Sequence, residues 1–198
     1  SFFQTGLEGT IDDAVIKRAK RTELNGIEER YEKIDEIPFD FTRRRLSVVV
    51  SDGKKKQLIT KGAVEEILNI CTMVCYKGEV SDINKEIKKN ILDMTKQLNK
   101  EGLRVVAVCQ KNDINDVKSF SVKDESKMVL MGFIGFLDPP KESAKGAIAR
   151  LNSDGIRVIV LTGDNEYVTK AVCDKVNINT NKIILGSKVE KLSDAALR

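Results

Sequence analysis

The stretch IPFDFTRRRLSVVVSDGKKKQLIT, residues 37–60, decides the fold of the first part of the chain. Two apolar runs, LSVVV and KQLIT, flank the turn sequence SDGK, and this pattern predicts a β-hairpin. Before the hairpin, Phe39 and Phe41 stand beside three consecutive arginines, residues 43–45. The sequence leaves two interpretations of this cluster. Either the phenylalanines are core residues and the arginines a solvated rim, or a flat, negatively charged molecule binds there.

The composition is that of a globular protein and narrows the possible functions. The chain has 198 residues, 41% of them hydrophobic and 32% charged, and this length suggests one or two domains. We expect no membrane helix, since no apolar run approaches the roughly 20 residues required, and no signal peptide. The net charge of +4 is too small to indicate nucleic acid as a partner. Because the first residue is not Met, we expect the chain to be part of a longer protein.

The chain has no histidine and four cysteines, which limits its chemistry. The cysteines lack the C-x-x-C spacing of zinc sites, so we expect buried, reduced thiols in a cytosolic protein and no metal site built by the protein. Without histidine, Ser-His-Asp and Cys-His catalysis are excluded. Carboxylates, lysine, arginine, hydroxyls and backbone amides are left to carry any reaction.

Residues 1–135 are predicted to form a first domain, with a mostly antiparallel sheet flanked by helices. Two further apolar runs of strand length follow the hairpin, LRVVAVCQ and MVLMGFIGF. Helices are predicted where apolar residues recur at helical spacing, over Ile11–Lys20, in KGAVEEILNIC after Gly62, and over Asp82–Lys100 with Gly102 as its stop. The polar stretch Lys111–Lys127 is predicted to be a surface loop or short excursion.

Residues 136–198 are predicted to form a second domain, because strands and helices alternate there. FLDPPKESAKGAIARLNSDG ends a strand at Asp138 and opens a helix with Pro140 in its first turn. IRVIVLTGDN is an apolar strand with a tight glycine turn, EYVTKAVCDKV a helix and KIILG a strand. This alternation is typical of a Rossmann-like parallel sheet with helices on its faces.

Polar residues follow two of the predicted parallel strands. Asp138 follows FIGFL, and Thr162, Gly163 and Asp164 follow IRVIVL. Ligands of open parallel sheets bind beyond the carboxyl ends of the strands, so two carboxylates and a hydroxyl there suit a phosphate and its counter-cation. The alternative interpretation makes Asp138 and Asp164 helix caps and turn formers.

The first domain offers a second candidate site. Lys61 follows a predicted strand and precedes Gly62, whose missing side chain lets a ligand approach the backbone. Lys61 and Gly62 would indicate a ligand site if the hairpin brings Lys61 near Phe39 and Arg44. Arg104, which opens the strand LRVVAV, is a further candidate cation.

Three motifs in this chain resemble those of P-type ATPases. KGAVEEIL resembles the KGA motif of their nucleotide-binding domain, and FLDPPK and LTGDN resemble the DPP and TGD motifs of their phosphorylation domain. The resemblance covers essentially the whole chain. QTGLEGTIDDAVI, KIDEIPFDFTRRRLSVVV and GFIGFLDPPKES look most like the bacterial magnesium-importing branch. The heavy-metal branch uses a His-Pro motif, which a chain without histidine lacks.

The resemblance implies an ATP site in the first domain. It implies that Phe39 stacks on adenine, that Asp12 reaches the adenine edge and that Lys61, with Gly62 of the same motif, lines the adenine pocket. Two arginines complete the implied site: Arg44 lies near the phosphates, and Arg104 contacts ribose or phosphate.

The other members of the aromatic–arginine cluster receive no ligand role from the resemblance. We expect Phe41 to be a core residue, and Arg43 and Arg45 to be a solvated rim.

The resemblance also makes the second domain a partial phosphorylation domain of the haloacid-dehalogenase type. It implies that Asp138, Thr162, Gly163 and Asp164 help to position the γ-phosphate of Mg-ATP. The phosphorylated D-K-T-G run and the G-D-G-x-N-D motif are absent. We therefore expect the acceptor aspartate to lie outside this chain and the chain alone to be inactive.

The implied protein is a cation-transporting ATPase, with the chain on the cytoplasmic face of the bacterial cell membrane and not inserted in it. Its expected partners are ATP, bound with Mg²⁺, and the remainder of the same pump. One alternative is a haloacid-dehalogenase-type phosphatase, which needs a nucleophilic aspartate in a D-x-D or D-x-T setting that no strand here provides. The other is a basic nucleic-acid-binding module, whose affinity would depend steeply on salt.

Overall fold

The computed structural model of the chain describes residues 1–5, 9–22, 26–112, 114 and 119–197. The chain divides into two compact units. The first consists of Ser1–Asp93 and Val105–Gly135, and the second of Met94–Arg104 and Phe136–Arg198. The segment Met94–Arg104, which the predicted boundary places in the first domain, therefore belongs to the second unit.

Within the described residues, seven strands pair in one mixed sheet. They are β1 (Glu32–Asp40), β2 (Arg45–Ser51), β3 (Lys56–Ala63), β4 (Cys71–Tyr76), β5 (Glu79–Asp82), β6 (Leu103–Lys111) and β7 (Met128–Leu137). Their order across the sheet is β1-β2-β3-β6-β7-β4-β5. The pairs β1–β2, β2–β3, β3–β6 and β4–β5 are antiparallel, and β4–β7 is parallel. The predicted α/β fold with a mostly antiparallel sheet flanked by helices is confirmed.

The helices lie between and after these strands. They are α1 (Thr10–Lys20), α2 (Ile27–Arg30), α3 (Val64–Ile70), α4 (Lys85–Lys100), α5 (Glu142–Ser153), α6 (Glu166–Lys175), α7 (Gly186–Val189) and α8 (Asp194–Leu197), with a 3₁₀ turn at Val122–Asp124. Of these, α1, α3 and α4 are the three helices predicted for the first domain.

Helix α4 begins three residues later than predicted because of its cap. The Asn84 side chain accepts a hydrogen bond of 2.8 Å from the Ile87 amide, which satisfies one of the free donors of the first turn. Asp82, the predicted first residue, is instead the last residue of β5. The helix ends before Gly102, whose φ of 89° is the left-handed conformation that a glycine adopts without strain.

The predicted hairpin is formed by β2 and β3. Ser47 lies opposite Thr60 and Arg45 opposite Gly62. In the connecting turn, the Asp52 carboxylate accepts hydrogen bonds from the amides of the next residues, Lys54 at 2.9 Å and Lys55 at 2.8 Å. These bonds explain why SDGK turns the chain at this point.

The core of the first unit lies on one face of the sheet. Val49 and Leu58 of the hairpin are fully buried there, together with Ile67 of α3. Each such side chain contributes about 1.5–3 kcal/mol when buried. The neighbours of Val49 along β2, Val48 and Val50, are also buried. Because successive side chains of a strand point to opposite faces, both faces of the sheet are covered at β2.

The predicted loop at Lys111–Lys127 is only partly a surface feature. Residues 113 and 115–118 lie outside the described residues, so the prediction is not judged there. Ile114 is buried in the core, and Glu125 is buried directly after the 3₁₀ turn. The prediction of a polar surface loop is wrong at these two positions.

The parallel sheet predicted for residues 136–198 is not formed by the described residues of that range. IRVIVL and KIIL form no paired strand, and Ile159 and Leu161 are 66% and 94% exposed. A strand persists only beside a hydrogen-bonding neighbour. The two predicted helices are present as α5 and α6, and the Asn165 side chain caps α6. Pro140 is not in the first turn of α5, as predicted, because the helix begins at Glu142 with Lys141 as its N-cap.

Among the described residues, no helix is long and apolar enough to cross a membrane. The four cysteines are free thiols, of which Cys71, Cys109 and Cys173 are buried and Cys75 is half-buried. A hydrogen bond with the Cys71 thiol, together with burial, raises the pKa of Cys109. Cys109 is therefore a protonated core residue and not a reactive thiolate.

Candidate functional site

Two phenylalanines lie at the turn between β1 and β2. Their ring centroids are 5.2 Å apart with an interplanar angle of 87°, an edge-to-face contact. Phe39, in β1, is 39% exposed, and Phe41, in the turn, is 81% exposed. The expectation that Phe41 is a core residue is wrong. The turn closes through the Arg44 amide, which donates to the Asp40 carbonyl at 2.7 Å, and this places Phe41 at its tip.

Arg43 and Arg45 are not a solvated rim, as expected, but bind a buried carboxylate. Arg43 Nη1 lies 2.9 Å from both carboxylate oxygens of Glu125, and Arg45 Nε donates to Oε2 at 2.8 Å. The Glu125 side chain is completely buried. Sequence reasoning missed this residue, because nothing local marks one glutamate in a polar stretch as the partner of arginines 80 residues away.

Arg44 differs from its two neighbours. It has a φ of 47°, the left-handed region that is unfavourable for a residue with a side chain. Its guanidinium forms an ion pair of 2.7 Å with Glu66 of α3 and remains half exposed. Ion pairs this exposed are weak, so Arg44 is the arginine of the run whose charge a ligand can recruit.

Lys61 and Asp12, both predicted site residues, are brought together. The Lys61 ammonium forms an ion pair with Asp12 Oδ1. Asp12 also accepts hydrogen bonds of 2.8 Å from the side chains of Ser1 and Gln4. Burial alone raises the pKa of Asp12, but the hydrogen bonds from Lys61, Ser1 and Gln4 and the lysine charge hold that pKa below its ordinary value. The pair is therefore a fixed carboxylate beside a fixed ammonium.

The role of Gly62 in the described structure is internal packing. A Cβ at this position would lie 2.5 Å from Arg45 Cβ and 2.6 Å from the Arg44 carbonyl oxygen. The sequence suggested that the glycine lets a ligand approach the backbone. The backbone that approaches is strand β2, so Gly62 aligns Lys61 with the arginine run.

Arg104, the last predicted residue of this group, is part of the second unit. Its guanidinium donates to Asp164 at 2.8 Å and lies 3.4 Å from Asp138. Its Nε is buried and has no hydrogen-bond partner among the described residues. Arg104 thus joins the two carboxylates that were predicted to follow neighbouring strands.

These residues line a cleft of about 200 Å³ in the second unit. Besides Arg104, Asp138 and Asp164, its walls include Pro139, Pro140, Val160, Thr162, Thr169, Val172 and Cys173. Thr162 Oγ1 accepts a hydrogen bond of 3.1 Å from the Asp164 amide across Gly163, so this turn is closed by the threonine. Neither aspartate is the N-cap of the helix that follows it. The helix-cap half of the alternative is wrong, whereas Asp164 does lie in the turn that Thr162 closes. The two carboxylates meet at one cleft.

Comparison with known proteins identifies the family. A model of the family described as "P-type ATPase, cytoplasmic domain N" matches residues 7–143, more than half of the chain. The chain belongs to this P-type ATPase family. The resemblance in KGAVEEIL and FLDPPK is thereby confirmed.

Several bacterial pumps are similar to this P-type ATPase chain over most or all of its length. The "Magnesium-transporting ATPase, P-type 1" of Salmonella typhimurium is 44% identical over 198 residues, which is 100% of this chain and 22% of the relative. The protein of the same name in Escherichia coli is 42% identical over the same shares. The "Calcium-transporting ATPase 1" of Bacillus cereus is 28% identical over 176 residues, 86% of this chain and 19% of the relative. The chain thus spans about a fifth of the relatives it matches.

Proposed function

We propose that this chain is the ATP-binding part of a magnesium-transporting P-type ATPase, on the cytoplasmic face of a bacterial cell membrane. It holds Mg-ATP and presents it to an acceptor aspartate outside the chain. The observation that carries the proposal is the exposed Phe39–Phe41 pair at a tight turn beside a half-exposed arginine. Exposed aromatic rings next to a cation suit a nucleotide, which has a flat base and a charged tail.

The first unit supplies the groups that recognise ATP. The rings of Phe39 and Phe41 offer stacking surfaces for adenine, each base–aromatic stack being worth about 1–3 kcal/mol. Phe41 is the more accessible of the two, so we assign it a stacking role beside the one expected for Phe39. When ATP binds, the Arg44 guanidinium leaves its exposed ion pair with Glu66 and contacts the phosphates instead.

The ion pair of Lys61 and Asp12 supports recognition of the adenine edge. A carboxylate accepts a hydrogen bond from an exocyclic amino group, and an ammonium donates to a ring nitrogen. Because each charge already compensates the other, the pair can lie at a pocket wall without an unpaired buried charge.

The second unit supports contact with the γ-phosphate. Asp138, Thr162 and Asp164 line a cleft large enough for a phosphate, with Gly163 in the turn between the last two, and Arg104 supplies a positive charge there. Two carboxylates repel a phosphate by themselves, so the cation that accompanies ATP belongs to this arrangement. Carboxylate and hydroxyl oxygens are ligands that Mg²⁺ accepts. The contribution of these residues to phosphoryl transfer is positioning and charge stabilisation.

The remainder of the pump is the second partner in this proposal. The unpaired segments IRVIVL and KIIL expose apolar side chains that an additional strand would cover. The acceptor aspartate arrives with that part of the protein. The chain alone therefore binds ATP without hydrolysing it.

An ATP titration of the 198-residue chain, followed by amide chemical shifts in the presence of Mg²⁺, tests the proposal. We expect saturable shifts with a dissociation constant near millimolar, no comparable effect of polynucleotide, and no phosphate release at high protein concentration. A folded chain without saturable ATP binding would overturn the proposal. Phosphate release that Asp138→Asn abolishes would favour the phosphatase instead.

A further inference from the structure

A buried carboxylate stands behind the aromatic turn. The Glu125 side chain accepts hydrogen bonds from Arg43 at 2.9 Å, from Arg45 at 2.8 Å and from the Ser47 hydroxyl at 2.7 Å. Ser47 is in turn hydrogen-bonded to Thr60 of β3 at 2.7 Å. Both hydroxyl residues are completely buried. The carboxylate is therefore fully coordinated by two cations and a hydroxyl, with no access for water.

Arg43 extends this network to the other side of the turn. Its Nη2 donates to the Pro38 carbonyl oxygen at 2.7 Å, while Nη1 contacts Glu125. Pro38 lies immediately before Phe39 in β1. One guanidinium thus ties the strand that enters the turn to Glu125, and Arg45 ties the strand that leaves it. The residues that carry the two exposed rings lie between these anchors.

Fold stability alone is a weak reason for such a network. A buried ion pair is often no better for stability than apolar residues of similar volume, because both charges must be desolvated. A planar guanidinium held by several hydrogen bonds does, however, fix direction as well as distance. The network therefore fixes the backbone conformation of the turn from which the two aromatic side chains project into solvent.

We propose that Glu125 is a positioning residue of the nucleotide site, a proposal that rests on the function proposed above. Through Arg43 and Arg45 it holds residues 38–45 in the conformation in which Phe39 and Phe41 receive the base. It also forms ion pairs with two of the three arginines, so that Arg44 is the one whose guanidinium can contact the phosphates. Glu125 itself does not contact the nucleotide.

Glu125→Gln is the most direct test. The amide keeps the size of the side chain but removes the negative charge, and its NH₂ group faces the N–H donors of the arginines. Two partly buried guanidinium groups then lack a counter-charge, and the turn loses its anchors. We expect affinity for ATP to fall at least about fivefold, the lower end of the loss that follows removal of one base–aromatic stack.

The control separates positioning from loss of stability. Leu130→Ala removes a buried side chain of β7, which pairs with Val74 of β4 away from the turn. Both variants are compared in thermal midpoint, ATP titration and the amide signals of residues 38–45 without ligand. We expect Glu125→Gln to shift those signals and weaken ATP binding, and Leu130→Ala to lower the thermal midpoint with affinity within about twofold of wild type.

The outcomes distinguish this inference from the proposed function. If Glu125→Gln folds and binds ATP as tightly as the wild type, the positioning role alone is overturned. The same holds if Leu130→Ala loses as much ATP affinity as Glu125→Gln. Absence of ATP binding in the wild type overturns both proposals. If Glu125→Gln does not fold, Glu125→Asp decides, since its carboxylate keeps the charge but is one methylene too short to reach both arginines. Failure of both variants to fold would make Glu125 a structural residue and overturn the inference.

Discussion

Gly62 lies opposite Arg45 in the β2–β3 hairpin, so close that a Cβ on the glycine would come within 2.5 Å of Arg45 Cβ. The atoms that block it are backbone atoms and a Cβ, which cannot rotate away. The glycine of the KGA motif is thus required by strand packing, whatever it contributes to a ligand site. It brings the residue before it, Lys61, into register with Leu46.

Gly62→Ala is expected to destabilise the first unit by about 1–3 kcal/mol, the usual range for an added methyl in a packed site. Chemical denaturation checks this value. Gly146→Ala is the matched control, because a Cβ there meets nothing within 4 Å and alanine is favoured inside a helix such as α5. We expect that variant to be at least as stable as the wild type. Equal stability of Gly62→Ala and wild type would contradict the close approach.

The Asp12–Lys61 pair predicts a pH dependence of stability. The pKa of Asp12 is lower in the folded protein than its ordinary value of about 3.9. The folded state therefore gains stability from the ionised carboxylate above that ordinary pKa, and loses it as the pH falls through the lowered, folded-state pKa. Asp12→Asn removes this gain. We expect the difference in unfolding free energy between wild type and variant to be largest near pH 7 and to shrink below about pH 4.

Denaturant unfolding at a series of pH values measures that difference. Asp52→Asn is the comparison for a carboxylate without an ion pair: backbone hydrogen bonds from Lys55 and Lys54 in the exposed hairpin turn lower the pKa of Asp52, so this variant shows the pH dependence that such bonds give by themselves. A difference between wild type and Asp12→Asn that stays constant from pH 7 to pH 3 would contradict a linkage through Asp12.

Much of the fold could be predicted because its signals are local. Two apolar runs around SDGK predict the hairpin. The helical spacing of the apolar residues of α4 predicts that helix, and Gly102 predicts its end. The meeting of Asp138 and Asp164 at one cleft followed from the rule that ligands bind beyond strand ends. That rule located the cleft although only the strand before Asp138, β7, is paired, while the segment before Asp164 is not.

The errors in the prediction have non-local causes. Glu125 could not be recognised, because its partners Arg43 and Arg45 are 82 and 80 residues away. The exposure of Phe41 depends on the turn in which Arg44 takes a left-handed φ, and a hydrophobic residue next to a strand is more often buried. The unpaired segments in the second unit have strand-like sequences, but pairing depends on a neighbour that their own residues do not specify.

Those unpaired segments predict fast hydrogen exchange. Amides of residues 157–161 and 182–185 have no strand partner among the described residues, whereas β2 and β6 each pair with a neighbour within the sheet. The Ile156 amide, just before the first segment, is protected by a hydrogen bond of 2.9 Å to the Leu151 carbonyl. Exchange of an amide without a protein hydrogen bond needs no opening of the structure. We expect both segments to exchange well before Leu46–Val50 and Leu103–Val108, as resolved by mass spectrometry of peptides. Equal protection would show that the segments acquire a strand partner in solution, within the chain or from a neighbouring copy.

The most informative pair of variants is Phe39→Ala and Phe41→Ala. Phe41 is 81% exposed, so its truncation is expected to change the free energy of unfolding by no more than about 0.5 kcal/mol. If its ring stacks on adenine, the same variant lowers ATP affinity by roughly 5- to 150-fold, since a stack is worth about 1–3 kcal/mol. Phe39 is less exposed, and its truncation is expected to lower both affinity and stability. Calorimetric ATP titration beside thermal unfolding separates the two effects. Two stable variants that bind ATP as well as the wild type would show that the edge-to-face pair only shapes the turn, and would place the nucleotide elsewhere.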